Sequence, residues 1–222
     1  MNFISIFDVI GPNMIGPSSS HTAGAAALAL LARKLYTHPV SNVTFTLYGS
    51  FAQTYHGHGT DKALLGGILG FSPDDMRIRD AFELATAAGI TYNFIINTEK
   101  RTKHPNTVDI LLEDSSGFSQ QVRGESIGGG KVRITRINQI DVDFTGEYST
   151  LIIKQLDRPG IVSHITQCLS NANVNIAFMR LFREAKGATA FTIVESDEKI
   201  PESILNCIRD NPHVDDIILI QL

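Results

Sequence analysis

The sequence predicts an α+β fold: a mixed-sheet domain followed by a second, smaller α+β domain. In residues 149–222, apolar positions recur at strand spacing and at helical spacing in the order strand, helix, strand, strand, helix, strand. This order is the split βαβ arrangement of a ferredoxin-like domain. In residues 1–143, helix and strand patterns follow one another in no regular order, which is typical of a mixed sheet with helices on one side.

The first domain begins with a helix over SHTAGAAALALLARKLY, capped by hydroxyls and apolar along one stripe. SNVTFTLYG alternates and predicts a half-buried strand. Helices follow in DKALLGGILG, which Asp61 can cap, and in DAFELATAAG, which ends at Gly89. Four more strands are predicted in ITYNFIIN, TVDILLED, FSQQVRGES and KVRITRI.

The second domain contains both cysteines of the chain. A hairpin is predicted around REAKGA, and Pro201 suits the first turn of the second helix. Cys168 and Cys207 each fall within one of the two helices, and we interpret them as small side chains of the core. Two cysteines, 39 positions apart, form neither a disulfide framework nor a ligand set for zinc or an iron–sulfur cluster.

Composition excludes several classes of partner. The chain of 222 residues is 43% hydrophobic and carries a formal net charge of −4, without any Lys/Arg-rich run. We therefore expect no nucleic acid and no membrane surface as partner, but a small molecule or another protein. The longest alanine-leucine run, residues 25–31, is too short to span a membrane, and the N-terminus lacks a secretion-signal pattern. The expected location is the cytoplasm.

The stretch GPSSSHTAGA crowds proton-handling side chains at the start of the first helix. Free amide groups at a helix N-terminus, together with the hydroxyls of Ser18, Ser19, Ser20 and Thr22, predict a site for a carboxylate or a phosphate. His21 is the side chain of this turn that exchanges a proton near neutral pH, and the positive helix end should favour its neutral form. The alternative is a capped helix with a solvent-exposed histidine.

A second group of ionisable residues lies in YHGHGTDKA, before the second helix. His58, Gly59 and Asp61 are candidates for binding a substrate. The alternative is a capped helix with polar loop residues, and we expect no metal site because His56 and His58 have no third ligand nearby in sequence. HPNT, which contains His104, is equally consistent with an ordinary loop.

The stretch GESIGGGKV invites comparison with a phosphate-binding loop. The comparison fails because Glu125 stands where a glycine is required, and Val132 stands where a hydroxyl is required. Three consecutive glycines indicate instead a close backbone approach to a strand, a ligand or another chain. A pyridoxal phosphate enzyme would need more chain than these two small domains offer.

Five motifs carry a family resemblance that covers essentially all 222 residues: FDVIGPNMIGPSSSHTAGA, GHGTDKA, HPNT, SIGGG and LDRPGIVSHIT. The chain resembles the beta chain of the two-subunit bacterial iron–sulfur-dependent L-serine dehydratase. The resemblance implies that residues 1–143 form a serine dehydratase beta-type domain, which binds anions and is similar to a domain of some D-3-phosphoglycerate dehydrogenases. It implies an ACT domain for residues 149–222.

The implied activity is that of an L-serine ammonia-lyase, which converts L-serine to pyruvate and ammonia. The [4Fe-4S] cluster of this family belongs to the alpha chain, so the beta chain would be inactive without that partner. An open iron would act as a Lewis acid on the substrate. His21 is then the candidate base for the Cα proton. Substrate binding would fall to the remaining candidates: Ser18, Ser19, Ser20, Thr22, His58, Gly59 and Asp61.

ACT domains bind amino acids at the loop after their first strand and associate with one another. Here the candidate allosteric residues are Asp157, Pro159, Gly160, Ile161 and Asn175, with Asp157 capping the helix or contacting an ammonium group. The alternative for this domain is a dimerisation surface alone. The alternative for the whole chain is a non-catalytic, serine-sensing regulatory module of another enzyme. The sequence does not decide whether serine or threonine is the preferred substrate. It also leaves open whether the ACT ligand activates or inhibits, and what the stoichiometry of the assembly is.

Overall fold

The computed structural model describes residues 13–221, which divide into two units between Asn138 and Gln139. The described residues exclude 1–12 and Leu222. Residues 7–12 of the first motif and the N-terminal segment without a secretion-signal pattern therefore lie outside them. The division comes before strand β6 (Ile140–Phe144), whereas the predicted first domain extends to residue 143. Strand β6 falls within the second unit and contacts other strands of that unit.

The first unit contains helices and strands in mixed order. A π-helical turn (Ser19–Ala23) leads into α1 (Gly24–Leu35), and a 3₁₀ turn (Met76–Asp80) leads into the last helix of this unit. The other helices are α2 (Gly49–Thr54), α3 (Thr60–Ile68) and α4 (Ala81–Ala87). The strands are β1 (Asn42–Tyr48), β2 (Thr91–Asn97), β3 (Thr107–Glu113), β4 (Ser119–Gly128) and β5 (Lys131–Ile137).

The strands of this unit lie in the order β2-β1-β3-β4-β5. β1 is parallel to β2 and antiparallel to β3, and the β3–β4 and β4–β5 pairs are antiparallel. On one face, Phe45 stacks on Phe94, whose ring meets Phe82 of α4 edge-on. Leu28 of α1 lies against Gly124 of β4 on the same face, where a Cβ would collide with it. The predicted mixed α+β fold is confirmed.

Close contact between α1 and α3 brings the two helix starts together. A Cβ built on Gly67 of α3 would lie 2.6 Å from Ala29 Cβ and 2.7 Å from the backbone nitrogen of Leu30. Only a glycine permits this approach of the two helices. The approach places the loop before α3 near the π-helical turn before α1, as the hydrogen bond from Thr22 Oγ1 to the carbonyl of His58 shows.

Two local predictions are corrected by this unit. Asp61 does not cap α3, because the helix begins one residue earlier and Gly59, with φ of 66°, takes the N-cap position without a side-chain hydrogen bond. The first helix was predicted as one continuous element, but its first turn is π-helical. The predicted hydroxyl cap is present, since Ser18 Oγ accepts a hydrogen bond from the amide of His21. The short helix α2 and the 3₁₀ turn were not predicted.

The second unit follows the predicted order. Its elements after β6 are β7 (Ser149–Leu156), α5 (Ile161–Asn171), β8 (Phe178–Arg183), β9 (Thr189–Ser196), α6 (Ser203–Arg209) and β10 (Val214–Ile220). The four strands from β7 to β10 form an antiparallel sheet in the order β10-β7-β9-β8. Apolar residues of both helices pack with the sheet into one core that includes Leu151, Ile165 and Ile204. The predicted hairpin lies between β8 and β9.

The placement of both cysteines in the core of this unit is confirmed, but the expectation that they form no disulfide is wrong. Cys168 of α5 and Cys207 of α6 form a disulfide bond, with their Cα atoms 6.0 Å apart. In the split βαβ arrangement, both helices lie side by side, which brings the two side chains within bonding distance. The sequence pattern assigns each cysteine to a helix. It does not show that the two helices pack side by side, so it does not predict the disulfide.

Among the helices of residues 13–221, none combines the length and the hydropathy needed to cross a membrane.

Candidate functional site

His21 lies in the middle of the π-helical turn. Its amide donates to Ser18 Oγ at 3.0 Å, and the amides of Thr22 and Ala23 donate to the carbonyl of Ser18 at 2.9 and 3.2 Å. The π-helix is a rare element that occurs most often as a single turn, frequently at functional sites. This turn holds the His21 side chain in a half-buried position.

The ring of His21 contacts three side chains from other segments. Its Nε2 atom is hydrogen-bonded to Ser50 Oγ at 2.9 Å, and its centroid lies 5.3 Å from that of Phe51 and 5.0 Å from that of His58. The contact to Ser18 is longer, with 3.5 Å between Nδ1 and Oγ. Four residues from three segments therefore surround one imidazole.

Ser50 was not among the predicted site residues. It is the second residue of α2, a helix that follows β1 directly, and its neighbour Gly49 has a φ of 52°. A Gly-Ser pair directly after a predicted strand is a local signal of a sharp turn that presents a hydroxyl at the strand end. The partner of that hydroxyl could not be found in this way, because His21 lies 29 positions earlier.

Buried ion pairing fixes the end of β1 that leads to Ser50. Arg123 binds the buried Asp109 with two hydrogen bonds of 2.6 Å, and Tyr48 donates its hydroxyl to the same carboxylate at 2.8 Å. Burial, and then the Asp109 carboxylate, raise the pKa of Tyr48, so the phenol remains a donor. This network holds Tyr48, the last residue before α2, in place.

The His21 ring is held in its neutral form. Burial lowers its pKa below the ordinary value of 6.5, and the neighbouring His58 lowers it further. Neutrality was expected from the sequence, but the expected cause was the positive end of the helix. Desolvation and a second imidazole are the causes that the structure gives, and both come from tertiary contacts.

The two histidines of the second cluster, His56 and His58, have different partners. The carbonyl of His58 accepts a hydrogen bond from Thr22 Oγ1 at 2.9 Å, which ties this loop to the His21 turn. His56 Nδ1 instead pairs with Asp61 Oδ2 at 2.9 Å, with a His56 side chain that is 73% exposed. Asp61 is thus engaged by His56 and by the amide of Lys62, rather than by His21. Within residues 13–221, no group of three His, Cys, Asp or Glu side chains is placed to hold a metal ion.

The HPNT segment lies directly against α2. The carbonyl of Pro105 accepts a hydrogen bond from the amide of Ser50 at 2.8 Å, and a Cβ on Gly49 would come within 2.5 Å of the same oxygen. His104 organises the segment itself: its carbonyl accepts hydrogen bonds from the hydroxyls of Thr102 and Thr107 at 2.8 and 2.6 Å. HPNT is therefore part of the site through its backbone.

The SIGGG segment contacts the same turn from another side. Ser126 Oγ donates to the carbonyl of Ser20 at 2.9 Å, and the amide of Ser126 donates to the carbonyl of Asn106, also at 2.9 Å. The glycine run at 128–130 has positive φ throughout: Gly128 ends β4, and Gly129 and Gly130 form the turn to β5. Its serine, not its glycines, contacts the site.

Buried polar atoms without partners concentrate in these segments. Four buried side-chain nitrogen or oxygen atoms in residues 13–221 have no hydrogen-bond partner. Three of them lie in the two segments near the His21 turn: His58 Nδ1, Thr60 Oγ1 at the start of α3, and Asn106 Oδ1. The fourth is Thr135 Oγ1 on β5. Since most buried polar atoms in proteins are paired, this concentration indicates a place where a ligand completes the hydrogen bonding.

Comparison with known proteins identifies the family of the chain. Residues 5–93 match the family model of the serine dehydratase beta chain, and residues 149–213 match that of the ACT domain. The chain is 42% identical over 208 residues to "L-serine dehydratase, beta chain" of Peptoniphilus asaccharolyticus, with 94% of each chain covered. The chain belongs to the serine dehydratase beta chain family.

One further relative matches the full length of the chain, and another matches only part of it. It is 38% identical over 214 residues to "Probable L-serine dehydratase, beta chain" of Bacillus subtilis, with 96% of each chain covered. It is also 28% identical over 131 residues to a D-3-phosphoglycerate dehydrogenase of Methanocaldococcus jannaschii, which covers 59% of this chain and 24% of that enzyme. The family resemblance stated from the motifs is confirmed.

In the ACT domain of this beta chain, Asp157 does not cap α5. The N-cap is Gly160, with φ of 91° and no side-chain hydrogen bond. Asp157 Oδ2 accepts instead from the amide of Gly187 at 3.0 Å and from Arg183 at 3.3 Å, across the β8–β9 hairpin. These two groups, the amide first, lower the pKa of the Asp157 carboxyl. Pro159 and Gly160 remain exposed before the free amides at the start of α5.

Within one chain, Asn175 does not lie near Pro159 and Gly160 at the start of α5. It follows the C-terminal end of α5, whereas Pro159 and Gly160 precede its N-terminal end. The eleven residues of α5 separate the two ends by about 16 Å at the usual helical rise. Asn175 lines a shallow pocket with Ser170 and Glu198 instead.

Proposed function

We propose that this chain is the beta subunit of an L-serine dehydratase, which converts L-serine to pyruvate and ammonia together with an alpha chain. The observation that carries the proposal is His21, a neutral and half-buried imidazole bonded to Ser50. The names of the two full-length relatives supply the substrate and imply the second chain. The complex acts in the cytoplasm in this proposal.

The residues of this chain bind and deprotonate the substrate. The hydroxyls of Ser18, Ser19 and Ser20 hold the carboxylate of L-serine at the positive start of the turn, whereas the Thr22 hydroxyl is donated to the His58 carbonyl and positions the loop. His21 takes the proton from Cα, while Ser50 orients the ring. Loss of the Cβ hydroxyl leaves aminoacrylate, which tautomerises and is hydrolysed to pyruvate and ammonia.

This chain does not fit the [4Fe-4S] cluster that its family resemblance implies. Cluster ligands are cysteine thiolates, and both cysteines of the chain form the disulfide between α5 and α6. The proposal therefore assigns the cluster, and the expulsion of the Cβ hydroxyl, to the alpha chain. The site of the beta chain is then completed at an interface between subunits.

The ACT domain is proposed to sense an amino acid and to associate with a second copy. The start of α5, where the first amides have no partner within the helix and Gly160 is exposed, supports binding of a carboxylate. Strand β8 lies at the edge of its sheet and exposes Phe178 and Leu181, 46% and 45% accessible, which supports pairing with another ACT domain. Asn175 would reach the ligand of the α5 loop only from the other copy.

The first experiment is to isolate the tagged chain anaerobically from its own host and to assay pyruvate formation from L-serine. Activity together with a co-purifying, cysteine-rich iron–sulfur subunit is the expected result. An iron-replete complex with such a subunit that is inert toward L-serine would contradict the substrate.

A second candidate function is a serine-sensing regulatory module. It is favoured by the similarity of 59% of the chain to a D-3-phosphoglycerate dehydrogenase. The same isolation distinguishes the two, because a regulatory module would be recovered without an iron–sulfur partner and would bind L-serine without consuming it.

A further inference from the structure

Asn106 carries a buried polar atom that the proposed mechanism does not use. Its side-chain oxygen, Oδ1, is buried and has no hydrogen-bond partner among the described residues. The rest of the residue is fully engaged: its amide donates to His104 Nδ1 at 3.2 Å, and its carbonyl accepts from the amide of Ser126 at 2.9 Å. The unpaired oxygen therefore belongs to a side chain that is held in place.

The orientation of the side-chain amide follows from its nitrogen. Nδ2 donates to the carbonyl of Ser126 at 3.4 Å, and the reverse orientation would place two carbonyl oxygens against each other. The amide thus directs its NH₂ group toward Ser126 and its oxygen away from it. An acceptor in this position is unfavourable unless another molecule supplies a donor.

Asn106 is placed between two segments that contact the His21 turn. Its neighbour Pro105 accepts a hydrogen bond from the amide of Ser50, whose hydroxyl binds the His21 ring. Its partner Ser126 donates to the carbonyl of Ser20, the residue before His21. The contacts on both sides of Asn106 therefore lead to the same histidine. His58 Nδ1, across the ring of His21, is a second buried atom without a partner.

We propose that Asn106 Oδ1 accepts a hydrogen bond from the α-ammonium group of L-serine, and so determines specificity for an amino acid. A carbonyl oxygen only accepts, so it cannot bind the carboxylate, which the serine hydroxyls and the positive start of the His21 turn attract. The ammonium group is the part of L-serine that only donates. The inference rests on the proposed function, since it concerns the substrate of the same site.

The test removes the acceptor from the protein and the donor from the ligand. Asn106→Leu retains the size of the side chain without an acceptor, and Asn106→Asp retains an acceptor. Asn93→Leu, on the exposed part of β2, is the matched control. The ligands are L-serine and 3-hydroxypropionate, which is L-serine without its amino group. Each variant is examined in the alpha–beta complex, and its thermal unfolding is compared with that of the unmodified chain.

We expect Asn106→Leu to raise KM for L-serine by about tenfold or more, as loss of a hydrogen bond to a charged group requires, with a much smaller change in kcat. The inhibition constant of 3-hydroxypropionate should stay unchanged. Asn106→Asp should have a KM nearer to that of the unmodified complex than Asn106→Leu has, and Asn93→Leu should match the unmodified complex.

Two results would overturn the inference: an unchanged KM for L-serine in Asn106→Leu, or an equal loss of affinity for both ligands. If the unmodified complex forms no pyruvate, the proposed function fails. Calorimetric titration of the same complexes then decides the role of Asn106 alone. The variant must lose about tenfold in affinity at one class of L-serine sites while binding of 3-hydroxypropionate is retained, and equal losses for both ligands, or none for L-serine, would contradict it.

Discussion

The His21 site and the ACT domain differ in how far their own residues satisfy their buried polar atoms. The site gathers polar groups from four distant segments and leaves buried atoms of His58, Thr60 and Asn106 without partners. In the ACT domain, an apolar core and a disulfide join two helices, and the one carboxylate of its ligand loop is tied to the β8–β9 hairpin. The difference shows where a ligand is needed to complete the structure and where the chain is complete by itself.

The largest expected effect is on kcat, and it should follow replacement of a histidine in the His21 site but not in the ACT domain. His21→Ala should lower kcat of the alpha–beta complex by about 10²–10⁴-fold, since a general base contributes this much, without dissociating the complex or its cluster. His213→Ala, an exposed histidine of the ACT domain, should leave turnover unchanged. The measurement is steady-state pyruvate formation combined with gel filtration. Near-normal turnover of His21→Ala would remove this residue from the mechanism.

The disulfide should stabilise the ACT domain and not the His21 site. A crosslink between residues 39 positions apart stabilises a fold by about 4 kcal/mol in the chain-entropy description. The double variant Cys168→Ala, Cys207→Ala should therefore unfold its ACT domain at lower denaturant, with the transition of the first unit unchanged. A reductant should shift the unmodified chain in the same way and leave the variant unaffected. Equal stability of the variant and the unmodified chain would contradict this expectation.

A serine-to-alanine change should have a moderate effect at one site and none at the other. Ser50→Ala removes the hydroxyl that orients His21, and we expect kcat to fall by about tenfold, the cost of one hydrogen bond to an oriented catalytic group. Ser163→Ala, on the exposed side of α5, should be neutral. Circular dichroism establishes that both variants are folded. A Ser50→Ala enzyme with full activity would show that packing alone orients the ring.

The smallest effect concerns pH. The pKa of His21 lies below 6.5, so kcat/KM should fall only as the pH drops below this value and the base becomes protonated. His58→Gln removes the neighbouring charge that helps to lower the pKa, so the decline should move to higher pH. It should remain below 6.5, because burial is the larger cause. A pH profile of the variant that coincides with that of the unmodified enzyme would exclude His58 as an influence.

Local patterns predicted most of the fold but only part of the site. Period and capping identified most helices and strands of both domains, although not α2 or β6, and the hydroxyl-rich turn made His21 a candidate before any contact was known. Ser50 and Asn106 could not be assigned roles, because their significance depends on partners that the fold brings from 29 and 20 positions away. The disulfide and the hairpin contacts of Asp157 were missed for the same reason, since neither is encoded in a local spacing.

Because His21 lies in a π-helical turn, the direction of its side chain depends on the number of residues in that turn as well as on their types. Consecutive residues of an α-helix are rotated by about 100° around its axis. Removing one residue from Ser19–Ala23 and closing the turn into a regular α-helix would swing the imidazole by about that angle, away from Ser50, with all other residues of the motif intact. A single-codon deletion could therefore abolish the site while composition, charge and core remain almost the same. Deletion scanning of this turn would reveal a constraint that substitution scanning does not detect.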